Sequence, residues 1–96
     1  MRKCHAQLHL RGGMKLSVVA SSQNYCSPRA DNLLPYDYET FEIALLSNDS
    51  AWLNPSMETD MKKKPWSKFW DEYDNVAGWV PADVVQQIYD ELKEAV

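Results

Sequence analysis

Two stretches of the chain alternate apolar and polar positions with a period of two. In KLSVVAS (residues 15–21), Leu16, Val18 and Ala20 fall on one side against Ser17, Val19 and Ser21, the pattern of a half-buried strand. ETFEIALLS (39–47) sets Phe41, Ile43 and Leu45 against Thr40, Glu42 and Ala44, again a strand with one face inward. NVAGWV (75–80) reads as a third extended segment, closed by Pro81, with Trp79 turned into the core. Between the first two strands, SQNYCSPRADNLLPYDY (22–38) is rich in Asn, Ser, Asp and Pro. These residues favour turns or block ladders, so the segment predicts a long irregular loop with Leu33 and Leu34 tucked inward.

The remaining segments carry helical spacing. SNDS (47–50) is turn chemistry, and Asn54-Pro55 reads as an N-cap followed by proline at the first helical position, opening a short helix with Met57 and Met61 on one face. Pro65 opens another helical turn in which Trp66, Phe69, Trp70 and Tyr73 recur at offsets of three and four, one stripe on a helix. From Pro81, PADVVQQIYDELKEAV places Val84, Val85, Ile88, Leu92 and Ala95 on a common stripe, with Asp83 near the start and Lys93 near the end complementing the helix dipole. The order β, β, short helices, β, α predicts a small α+β domain. Its core is a three-stranded antiparallel sheet covered by the C-terminal helix, with short helical turns between strands two and three.

That domain spans 14–96. The preceding MRKCHAQLHLRGG (1–13) shows no turn-bounded strand pattern and is read as a flexible or non-native leader. Arg-Gly-Gly ahead of Met14 can be encoded by purine-rich codons resembling a ribosome-binding site, which would make Met14 the start and the source a bacterium or a phage. A chain of 96 residues, 45% hydrophobic and 25% charged, suits one folded domain with a modest core. No apolar run approaches the roughly 20 residues of a membrane span, so the expected location is the cytoplasm, of a bacterial host cell on the Met14 reading, with Cys4 and Cys26 as thiols.

Charge adds an asymmetry. Residues 1–30 hold Arg2, Lys3, Arg11, Lys15 and Arg29 and no acids, whereas residues 31–96 hold fourteen acids against five lysines, nine net negative charges. The acidic part works against direct nucleic-acid binding, whose affinity comes largely from phosphate contacts. The lysine triplet at 62–64 is read as a solvated patch, and no glycine-rich phosphate loop exists. Cys4, His5 and His9 lack the supporting spacing of a metal site, and Asp71, Glu72 and Asp74 lack the calcium-loop pattern. Neither a metal nor a cofactor is expected. Cys26 near Arg29 is a candidate activated thiol, but the only histidines lie in the leader.

WDEYD (70–74) sets carboxylates beside aromatic rings, a combination suited to docking on a basic groove. The aromatic cluster is divided: Phe69 and Trp79 inward, Trp66 or Trp70 as the exposed rings. The partner-binding set is therefore Trp66, Trp70, Asp71, Glu72, Tyr73 and Asp74, joined by Tyr36 and Tyr38 from the polar loop. The chain is expected to be a small acidic, non-enzymatic protein-binding domain that inhibits or modulates a nucleic-acid-processing or defence complex, engaging another protein with a basic surface as a monomer or weak homodimer. In size and charge alone it resembles phage accessory proteins that block host enzymes or CRISPR complexes. The alternatives are a small thiol-dependent enzyme using Cys26 and a self-associating structural protein.

Overall fold

The computed structural model describes residues 4–21, 24–28, 30, 37–58, 61–71 and 73–93. Its elements are β1 (Cys4–His9), β2 (Lys15–Ala20), β3 (Thr40–Leu46), β4 (Trp52–Leu53), β5 (Val76–Pro81) and α1 (Ala82–Leu92). All strand pairs are antiparallel, in the order β1-β2-β3. The far edge of β3 is then shared: Thr40–Ala44 pair with β5 and Leu45–Leu46 with β4. The α+β class is as the periodicity predicts, but among the described residues the sheet has five strands rather than three.

The first added strand comes from the segment read as a leader. Cys4, Ala6 and Leu8 pair opposite Ala20, Val18 and Leu16, and Leu10 is buried. The double glycine forms the connecting three-residue loop with β2: Gly12 and Gly13 take φ of 67° and 78°, a region glycine enters without steric penalty. A Cβ on Gly13 would run into the Asn48 side chain. The second added strand, β4, is two residues long, too short for periodicity to reveal.

Cross-strand register sorts side chains onto two faces. Leu16, Val18 and Ala20 of β2, Phe41, Ile43 and Leu45 of β3, and Ala77 and Val80 of β5 occupy the first face and are buried. α1 rests there on β3 and β5 with Ile88 and Leu92 inward and Val84, Val85 and Tyr89 at the margin. The helix ends at Leu92, short of its predicted extent, and Asp83 lies in its first turn as expected.

In place of the expected helix after Asn54, the described residues form turns at 55–57 and 61–63, although the Asn54 side chain does make a cap-like contact. Its Oδ1 accepts from the backbone N and Oγ of Ser56 (3.0 and 2.6 Å), an Asx turn. Its Nδ2 donates to the carbonyls of Asp71 and Asp74, at 2.7 Å each. Met57 is exposed and Met61 packs against the core, so the two share no face. Beyond them, Pro65–Phe69 forms one short 3-10 segment.

Candidate protein-docking surface

The structure divides the predicted partner-binding set. Trp66 and Trp70 are both buried, contrary to the expectation that one of them would be exposed. Trp70 leaves the 3-10 segment in extended conformation and bridges to Ala77 of β5. This turns its ring under the sheet, 6.2 Å from Trp66 in an edge-on arrangement. Trp66 Nε1 donates to Glu91 Oε2 of α1 at 3.2 Å, whereas the buried Trp70 Nε1 has no hydrogen-bond partner among the described residues. The two indoles are core because the segment that carries them packs on β5, through the Trp70–Ala77 bridge, and on α1, through Trp66 and Glu91.

Tyr38 is buried as well, its hydroxyl donating to the Ala30 carbonyl at 2.5 Å and its ring 5.9 Å from Phe41. Tyr36 and Glu72 lie outside the described residues, as do Leu33 and Leu34. Asp71, Tyr73 and Asp74 are exposed, Tyr73 to 89%. The Asn54 amide holds their loop beside β4.

The exposed aromatics that periodicity missed lie on the second face. Phe41 pairs with Val80 and Ile43 with Ala77. One residue, Glu42, therefore stands opposite two, Gly78 and Trp79. This bulge reverses the parity of β5, burying Val80 and leaving Trp79 52% exposed at φ 51°, in a region bulky residues rarely enter. The Trp79 ring stacks on Tyr25, 47% exposed, with centroids 5.0 Å apart and planes tilted by 30°.

The pair is held from both ends. Trp79 N donates to the Tyr25 carbonyl at 2.8 Å. Asn24 Nδ2 donates to Glu42 Oε2 and Ser21 Oγ to Asn24 Oδ1, each at 2.6 Å. A Cβ on Gly78 would lie 2.7 Å from that of Tyr25, so only glycine allows this approach. Trp52, 56% exposed, pairs with Leu46, and Val76 with Ala44. Trp52, Val76 and Trp79 thus follow one another along one margin of the second face, with the acidic 71–74 loop entering at Val76. The sequence signal for this arrangement was Gly78, since glycine inside a strand marks a bulge or a close backbone approach.

Cys26 is a buried free thiol whose Sγ lies 3.3 Å from the Ser21 carbonyl and 3.5 Å from that of Pro28, either of which can accept its one proton. Arg29 lies outside the described residues. A thiol so enclosed presents no sulfur to a substrate. No cluster of three or more His, Cys, Asp or Glu side chains able to hold a metal occurs among the described residues. No helix there is long and apolar enough to cross a membrane. Comparison with protein families, with curated proteins and with solved structures returns no match to this chain.

Proposed function

We propose that this chain is a non-enzymatic protein-binding module whose second sheet face docks on a basic surface of another protein, with Trp79 and Tyr25 as anchors and Trp52 and the Asp71–Asp74 loop as flanking contacts. The observation that carries this reading is Trp79 itself. A bulky residue at positive φ costs on the order of 1–3 kcal/mol, and a ring left half in solvent returns little of that to folding. Strain of this kind, held by a bulge and by the close approach of Tyr25 to Gly78, makes sense where the side chain is aimed at a partner. Trp and Tyr are favoured anchors at interfaces.

The basic character of the partner follows from charge. The chain carries a net charge of −4, and beside the Trp52–Trp79 margin Asp71 and Asp74 are exposed, as is Asp49 in the turn between β3 and β4. Arginine and lysine side chains also stack on indole and phenol faces. Such a field speeds encounter with a basic cleft. Occupying that cleft displaces the anionic ligand it serves, nucleic acid included, and in that sense the module inhibits or modulates its target. The free Cys26 thiol suits a reducing compartment, and we place the module in the cytoplasm.

Affinity capture from a bacterial lysate, with the wild-type chain and two variants as bait, tests the reading. Trp79→Ala is expected to lose the captured protein at any ionic strength. The double reversal Asp71→Lys, Asp74→Lys is expected to slow its association at low salt. Capture that ignores both variants overturns the proposal.

A further inference from the structure

The outer edge of β1 is the one long strand edge of the sheet that pairs with nothing among the described residues. The hydrogen-bond phase of that edge can be fixed. Leu10 N donates to Met14 O at 2.8 Å, so the pair 10–14 is a hydrogen-bonded one. Bonded and non-bonded pairs alternate in an antiparallel ladder. The pairs 8–16, 6–18 and 4–20 are therefore bonded to β2, and the N–H and C=O groups of His5, Gln7 and His9 point outward.

The geometry points to a second copy of this chain as the occupant of that edge, paired β1 to β1 about a two-fold axis through Gln7. In this register Gln7 meets Gln7 of the copy, His5 meets His9, and Ala6 meets Leu8, so polar and apolar faces each continue across the junction. Three outward N–H groups from each copy find three carbonyls of the other, six bonds in all. A two-fold axis through Ala6 or Leu8 would align only two of the three outward residues and form four. The strand CHAQLH carries no formal charge, so self-pairing opposes no like charges in β1. It also has no proline, lysine or bulge of the kind that protects edges.

On the first face, a largely apolar groove of about 470 Å³ runs beside the same edge, walled by Ala6, Leu8, Phe41 and Tyr89, with His5 and Gln86 also lining it. Pairing sets Leu8 of the copy against Ala6 at the mouth of this groove and lengthens its apolar wall. The contact is short, as expected of an association that depends on concentration. It leaves the Trp79 margin free, three strands away.

Sedimentation velocity of the full chain over a rising concentration series tests the proposal, with the exposed Gln7 as the lever. The wild-type chain is expected to move from one copy towards two. Gln7→Lys and Gln7→Glu, each placing like charges directly opposite at the axis, are expected to weaken the dimer about fivefold, and an equimolar mixture of the two to restore it. Circular dichroism of each variant should match wild type, because Gln7 contacts solvent. A chain that stays single at every concentration overturns the inference. So does a dimer that ignores both charges, since it would use another surface.

Discussion

At the scale of single residues, Trp79 shows where a period-two reading fails. Alternation in VAGWVP predicts Ala77 and Trp79 inward, yet Ala77 and Val80 are the buried pair. The intervening bulge inserts one residue and flips everything after it. Gly78 was legible as a local irregularity, but the direction of the flip depends on Tyr25, fifty-three positions away, whose Cβ occupies the space a side chain at 78 would need. The strain is testable against the usual ordering of alanine and glycine. Glycine in a strand is normally worse than alanine by roughly 0.5–1 kcal/mol. At φ 51° the order inverts, because alanine retains the steric penalty and glycine removes it. Both Trp79→Ala and Trp79→Gly lose the stack on Tyr25, so their difference isolates the backbone. Urea denaturation is expected to find Trp79→Gly more stable than Trp79→Ala by about 1 kcal/mol, and equal or reversed stabilities would remove strain from the account of this site.

At the scale of elements, the 61–70 segment and α1 behave as one unit. The aromatic stripe from Trp66 to Tyr73 has true helical spacing, yet only Pro65–Phe69 coil, and as a 3-10 turn. A helix this short lacks the residues to offset its nucleation cost, so tertiary contacts decide where each ring goes. Those contacts were not legible locally: Trp66 reaches Glu91 on α1, and Lys64 Nζ lies 2.9 Å from Glu91 Oε1. The hydrogen bond from Lys64 holds the Glu91 carboxyl below its ordinary 4.5, with Gln87 and Trp66 acting in the same direction and desolvation opposing them. A carboxylate whose folded pKa is depressed contributes stability that is fully present above the unfolded value and lost as pH falls through the folded one. Glu91→Gln keeps an acceptor for the indole but removes the charge. Its cost is expected to be about 0.5–1 kcal/mol at neutral pH, because Lys64 is partly solvated, and to shrink as pH drops below about 4.5. A cost independent of pH would mean that the ion pair does not clasp the two elements.

At the scale of the whole molecule, the β2-β3 pair was readable from its alternation, and so was α1. The segment before Met14 carries only part of such a signal: Cys4, Ala6, Leu8 and Leu10 alternate with His5, Gln7 and His9, but no turn residue bounds the run ahead of Cys4. The leader reading rests on Arg-Gly-Gly ahead of Met14, a coding argument that says nothing about whether the segment pairs. The structure makes the cost of losing this segment calculable in direction. A chain beginning at Met14 lacks the ladder to β2 and the buried Leu10, and a single core leucine truncated to alanine already costs about 2–5 kcal/mol. A domain of this size has about 5–15 kcal/mol to lose. The shortened chain also turns β2 into the sheet edge, with Leu16, Val18 and Ala20 on the first face beside it and Lys15 as its only charge. Thermal and urea unfolding of the 1–96 and 14–96 chains should therefore show a large loss of stability in the shorter one, accompanied by aggregation. If the two unfold at the same midpoint, β1 is an appendage to a four-stranded domain, and the core ends at β2.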